Sequence, residues 1–232
     1  MSLLARAACL AMLTLAPSVH AACPAPFTGA GDGTYYTEIG GSGACALEWS
    51  ATDHIAAINA PQWAGSVHCG ECLAVAGPLG STVVKVVSQC PDCAEGDLDF
   101  SYAAMAAIAD PIVGRVPIQW ERVACPTSEP LQFQFEGSNP YYLKLQVRDH
   151  RYGIQSVSVF HDSAYQPMAR NFDNHFIYQP GSFVADPIDV RITATTGEVL
   201  QQSVGPLIND VDLPGTAQFA LCPDDLFKNG FE

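Results

Sequence analysis

Basic residues are scarce in this chain. Ten Lys and Arg stand against 24 Asp and Glu, a formal net charge of −14 at pH 7. With so few cations and no basic run, nothing is in place to neutralise a phosphate backbone, and nucleic acid is excluded as a partner. The same charge opposes tight binding to anionic polymers such as pectin or teichoic acid. A neutral polymer such as cellulose or chitin carries no such penalty. Long apolar runs are missing too. Past the N-terminus no stretch approaches the roughly 20 residues needed to cross a bilayer, so no membrane partner is expected. Internal repeats, heptads and low-complexity tracts are absent. So are G-x-S-x-G, a phosphate loop, H-E-x-x-H and a recognisable Ser-His-Asp set. His54, His68, His150, His161 and His175 are scattered and read as structural. Asp92, Glu95, Asp97 and Asp99 crowd one stretch without EF-hand spacing, which reads as a solvated acidic loop. No metal and no cofactor is expected.

What is present begins with an export signal. Residues 1–22 carry one early cation, Arg6, an apolar run Ala7–Pro17, and Val19-His20-Ala21 before Ala22-Cys23. That is the layout of a secretory signal peptide. A lipoprotein with acylated Cys23 is disfavoured, because His20 stands where a lipobox has Leu. The mature protein is expected to be secreted, extracellular and monomeric. Of nine cysteines, Cys9 leaves with the signal. An even number remains, and in an oxidising compartment that implies disulfides. The spacing Cys69-x2-Cys72, seventeen residues, Cys90-x2-Cys93 also fits a zinc ribbon. That reading needs four reduced thiolates outside the cell and leaves Cys45 and Cys125 unexplained.

Two compositional regions follow. Residues 23–126 hold seven of the eight remaining cysteines and β-like runs at Cys72–Ala76, Thr82–Val87 and Val116–Val123. Tyr102–Ala109 has helical spacing, with Ser101 placed to cap it and Pro111 beyond its end. Residues 127–130 read as a linker. Over 131–222, runs such as Tyr141–Val147, Ile154–Phe160, Ile188–Thr193 and Val199–Val204 alternate between apolar and polar, as in an antiparallel sandwich. Residues 223–232 form an acidic tail.

Asp99 stands out chemically. It sits between Leu98 and Phe100, where desolvation should raise its pKa. That suits a proton donor or a carboxyl gripping a sugar, although an Asp capping the following helix is equally compatible with the spacing. In Thr34-Tyr35-Tyr36, strand alternation lets one Tyr face a groove while the other packs inward. Tyr141-Tyr142 follow the turn Gly137-Ser138-Asn139-Pro140 and, read as adjacent strand residues, point to opposite faces. Exposed aromatics on a flat sheet suit stacking on pyranose rings. Trp63 is taken as a further carbohydrate-binding candidate.

These residues, in this order, resemble the expansins, specifically their two-domain bacterial members. The likeness is carried by Gly33-Thr34-Tyr35-Tyr36, Gly43-Ala44-Cys45, Cys69-Gly70-Glu71-Cys72, Leu98-Asp99-Phe100-Ser101 and Trp120 through Pro126. Glu136 through Tyr142, Gln146 through His150 and Asn174-His175-Phe176 extend it into the second region. The resemblance implies an all-β protein: a six-stranded double-psi β-barrel followed by an immunoglobulin-like β-sandwich. It implies binding to cellulose and matrix glycans of the plant cell wall, and loosening of the wall by disrupting non-covalent contacts without hydrolysis. The essential Asp falls on Asp99 and a conserved Thr on Thr34. The aromatic platform falls on Tyr141 and Tyr142. A second groove Asp falls on Ser88, and a nearby Tyr on Cys90. The third platform aromatic aligns on Asp173, with Phe172 one residue earlier. The family pattern pairs Cys45–Cys69 and Cys72–Cys125, and Cys90–Cys93 would close a short loop of the kind seen in barwin-like relatives. Cys23 and Cys222 remain for each other, a tie that would restrict any hinge at the linker.

Two other functions stay open at this stage. A glycoside hydrolase or lytic transglycosylase on the same barrel would need a second carboxylate, about 6.5–9.5 Å away for inversion. Glu38, four residues after Thr34, is the candidate. A pure carbohydrate-binding protein would use Asp99 only as a cap.

Overall fold

A computed structural model describes residues 23–181, 184–223 and 225. The expected signal segment and residues 224 and 226–232 of the tail lie outside the described residues. The first half contains β1 (Thr28–Tyr36), the short β2 (Gly40–Gly41) and β3 (Trp49–Ser50), β4 (Ile55–Asn59), β5 (Cys72–Gly77), β6 (Gly80–Cys90), β7 (Leu98–Ser101) and β8 (Val116–Val123). A closed barrel runs β1-β7-β4-β6-β5-β8, while β2 and β3 pair with each other. β1 with β7 and β4 with β6 are parallel, and the other barrel pairs are antiparallel. This is the six-stranded barrel the resemblance implied. β4 reads Ile-Ala-Ala-Ile-Asn and is buried at every position. Strands covered on both faces lose the alternation by which half-buried strands are recognised, and β4 has none in its sequence. Helix α1 (Tyr102–Ile108) starts where expected: Ser101 Oγ accepts from the Ala104 amide at 3.3 Å, and Ala104, Met105 and Ile108 turn inward.

The second half carries β9 (Gln132–Phe135), β10 (Leu143–Arg148), β11 (Ile154–His161), β12 (Ala164–Pro167), β13 (Ala169–Arg170), β14 (Phe176–Tyr178), β15 (Ile188–Ala194), β16 (Val199–Val204) and β17 (Asp212–Pro214). They form two sheets, β13-β14-β10-β9-β17 and β12-β11-β15-β16. Alternation works as expected in β15, where Ile188, Val190, Ile192 and Ala194 are buried and Asp189 is exposed. With Phe133, Phe135, Leu145 and Val159 they make the sandwich core; each fully buried large side chain contributes about 1.5–3 kcal/mol. One expectation fails. Tyr141 and Tyr142 are not strand residues, because Asn139 and Tyr142 exchange backbone hydrogen bonds (2.8 and 2.9 Å) in a tight turn and β10 begins at Leu143. Strand alternation therefore does not orient them.

All four expected disulfides are present: Cys45–Cys69, Cys72–Cys125, Cys90–Cys93 and Cys23–Cys222, the last spanning 199 residues. The two halves also meet directly. Gln146 Nε2 donates to the Cys45 carbonyl (2.9 Å), Arg148 Nη2 to the Ala46 carbonyl (3.1 Å), and Ser66 Oγ to the Asn171 carbonyl (2.8 Å). Arg148 also pairs with Glu48 at 3.0 Å. Gly70, at φ +75°, abuts His150, whose imidazole would collide with any side chain there. The linker itself is tied down: Cys125 N–H bonds the Arg151 carbonyl at 2.9 Å, and Arg151 Nη2 bonds the Thr127 carbonyl at 2.7 Å.

Candidate functional site

Parallel pairing of β1 with β7 puts Thr34 directly beside Asp99. Thr34 Oγ1 donates to Asp99 Oδ1 at 2.6 Å. Burial pushes the Asp99 carboxyl above its ordinary range. The Thr34 bond pulls it down, the Glu38 charge pushes it up and Arg115 pulls it down, with a net upward shift. Asp99 opens into a groove of about 360 Å³ lined by Tyr36, Glu38, Trp49, Ala57, Ser88 and Gln89, with Gly40, Gly41 and Gly43 along one wall. Tyr36 points into it, and burial, then the charges of Asp99 and Glu38, keep its hydroxyl protonated far beyond neutral pH. Tyr35 takes the other side of β1, edge-on to Tyr102 with ring centres 5.6 Å apart.

The groove's walls follow from local sequence. Gly43 stands at φ +58°, with its Cα so close to the Val87 carbonyl and Ser88 that a side chain would clash with them. This close approach lets Ser88 Oγ accept from the Ala44 amide at 3.1 Å. Ser88 thus presents a hydroxyl, not a carboxylate, at the groove. Asp97 is occupied elsewhere: its carboxylate takes the amides of Asp32 (2.7 Å) and Ala94 (3.2 Å). Glu38 is exposed on the loop leaving β1. Thr34, Tyr36, Glu38, Ser88 and Asp99 are therefore gathered at one place, from strands β1, β6 and β7 and the loop after β1. Trp49 and Gln89 lie there as well and were not singled out in the sequence. The only signal for Trp49 was a lone aromatic after the glycine-rich stretch 40–43. None of the described histidines lines the groove. Among the described residues no cluster of His, Cys, Asp and Glu is arranged to hold a metal ion.

The carbohydrate-binding candidates divide. Tyr141 is 60% and Phe172 73% exposed, while Tyr142 is half-buried. Lys144, two residues past Tyr142, pairs with Asp173 at 3.0 Å and so brings the Phe172 segment alongside the Tyr pair. Burial raises Asp173, but the Lys144 hydrogen bond, with His175 and the Lys144 charge, brings it below the usual carboxylate range. Trp63 is a correction. It is 9% exposed and packs in the barrel core after the turn Ala60–Gln62, which Asn59 caps, so it offers no face to a polymer.

A closed six-stranded barrel carrying a Thr-Asp pair is docked against a two-sheet sandwich with exposed aromatics, a two-part all-β architecture. No protein-family model matches the chain. It is 29% identical over 156 residues to the expansin YoaJ of Bacillus subtilis, covering 65% of this chain and 66% of that protein. It is 28% identical over 183 residues to expansin-like protein 7 of Dictyostelium discoideum, covering 75% of this chain and 33% of the relative. The chain thus spans just under two thirds of the first relative and about a third of the second. The fold matches the apo crystal structure of the Clavibacter michiganensis expansin with TM-score 0.77 and 25% identity, over 84% of this chain and 99% of that one. A point variant of the same protein in complex with cellohexaose matches with TM-score 0.78 and 24% identity, at the same coverage. By fold and sequence together, the chain is similar to the expansins.

Proposed function

We propose that the chain is a secreted protein that binds cellulose and matrix glycans of plant walls and loosens their contacts without cutting them. The Thr34–Asp99 hydrogen bond carries this reading. It holds one half-buried carboxyl, its pKa raised by burial, at the groove, where it can hydrogen-bond a sugar hydroxyl. Ser88, lining the same groove, offers only a hydroxyl. Export rests on the N-terminal leader and the four disulfides. The Clavibacter expansin crystallised with cellohexaose supports β-linked glucan as the ligand class. In this reading residues 23–126 act on the polymer and residues 131–222 anchor it through Tyr141, Tyr142 and Phe172.

One observation favours a second reading. Glu38 lines the same groove and its charge acts on Asp99, as a base paired with an acid would. Wall extension and reducing-sugar release, measured side by side, separate the two. Extension lost in Asp99→Asn with no sugar released by the wild type supports loosening; sustained turnover on soluble β-glucan supports hydrolysis.

A further inference from the structure

Trp49 lies on the short strand β3, and its direct partner on β2 is Gly41. A side chain added at Gly41 would only just touch the indole, its Cβ 3.6 Å from Nε1. The ring therefore leans over a strand without side chains. Gly40, Gly41 and Gly43 all border the groove and all are exposed, so nothing projects from that wall to fill the space. Tyr36 meets Trp49 edge-on, with ring centres 5.4 Å apart and planes at 69°. Trp49 is partly exposed, and its indole N–H has no hydrogen-bond partner among the described residues. The strand is fixed from behind: Glu48 pairs with Arg148 of the sandwich at 3.0 Å, and Cys45 and Ala46 accept hydrogen bonds from the same sheet.

We infer that Trp49 and Tyr36 form a stacking subsite in the barrel for one ring of a neutral β-linked hexopyranose chain. The apolar C–H face of a pyranose suits an aromatic surface. The hydroxyls at the ring's edge then reach Asp99, Ser88, Gln89 and the Trp49 N–H, all lining the same groove. Glu38 and Asp99 repel an anionic ring, so a neutral sugar is selected over a uronate. This subsite rests on the proposed polysaccharide function but is separate from the sandwich aromatics. It ties the stacked ring to the carboxyl that acts on it.

The test uses tryptophan emission. The chain has three Trp, and Trp63 and Trp120 are buried at 9% and 3% exposure, so a ligand-induced change reports Trp49. In a full-length Tyr141→Ala, Tyr142→Ala, Phe172→Ala background, cellohexaose should shift the emission saturably, and an oligogalacturonate of equal length should not. Trp49→Phe should abolish the shift and keep binding by calorimetry within about threefold. Trp49→Ala, checked for folding by circular dichroism, should weaken binding about fivefold to tenfold. Should Trp49→Ala be unfolded, the Trp49→Phe emission and calorimetry still decide. No shift with cellohexaose, or an equal shift with the uronate, overturns the subsite. Loss of wall extension in Asp99→Asn would stand in either case, so failure here is distinct from failure of the loosening reading.

Discussion

Thr34 Oγ1 and Asp99 Oδ1 are 2.6 Å apart on neighbouring parallel strands, and the hydroxyl is the donor. The bond lowers a carboxyl that burial has raised. Removing it with Thr34→Val should raise the Asp99 pKa further, readable by carbon NMR of the carboxyl. It should also lower wall extension about tenfold, the size of one charge-assisted hydrogen bond. Thr34→Ser keeps the hydroxyl and should restore both.

Asp99 also sets a sign for stability. Its folded pKa lies above its unfolded one, so its contribution is full below the unfolded pKa and is lost as pH rises through the folded value. Asp99→Asn removes that loss. The variant should therefore be at least as stable as wild type at pH 7, with its relative advantage vanishing toward pH 3. Urea midpoints at both pH values check this; a variant destabilised at pH 7 would point to a structural role for the carboxylate, such as capping.

His150 runs the other way. It is 2% exposed at the junction of barrel and sandwich, and burial, with the Lys85 charge, holds its pKa down to about 4 against the opposing charge of Glu71. The unfolded chain takes up that proton near pH 6.5 and the folded chain does not. Stability from this group is intact above pH 6.5 and is lost on acidification toward pH 4. The difference between wild type and His150→Leu should change by about 2–3 kcal/mol between pH 7 and 4.5. A pH-independent difference would show that the histidine titrates normally in the fold.

The disulfides should differ in weight. Cys23–Cys222 closes a 199-residue separation and Cys90–Cys93 only 3. In the chain-entropy model the first is worth about 5 kcal/mol and the second about 2. Replacing each pair with serines and comparing unfolding midpoints checks the order; equal losses would mean that native packing at these sites, not loop length, dominates.

Much of this was legible in the sequence, and the exceptions have physical causes. Val116–Val123 and Val199–Val204 alternate because one face of each meets a core, and their limits are read directly from that pattern. β4 was missed because it is buried throughout, and its small residues repeat no period. The gathering of Thr34, Tyr36, Glu38, Ser88 and Asp99 is invisible in spacing, since parallel pairing of distant strands makes it. It followed from the family resemblance, as did the pairing of Cys45 with Cys69 and of Cys72 with Cys125, which left Cys23 for Cys222. Trp63 failed because composition does not say which way an aromatic faces, and its turn directs it into the barrel. Trp63→Ala should accordingly cost about 3–5 kcal/mol of stability, whereas Tyr141→Ala with Tyr142→Ala should weaken cellulose pull-down and leave stability nearly unchanged.

The most direct measurement is extension of isolated plant wall under constant load, run beside reducing-sugar release from the same wall, with wild type and Asp99→Asn. Wild type should extend the wall with no sugar above the buffer control. Asp99→Asn should bind the wall but not extend it. Sugar release by wild type that rises with time and disappears in Asp99→Asn would contradict the account and make Asp99 the acid of a hydrolase.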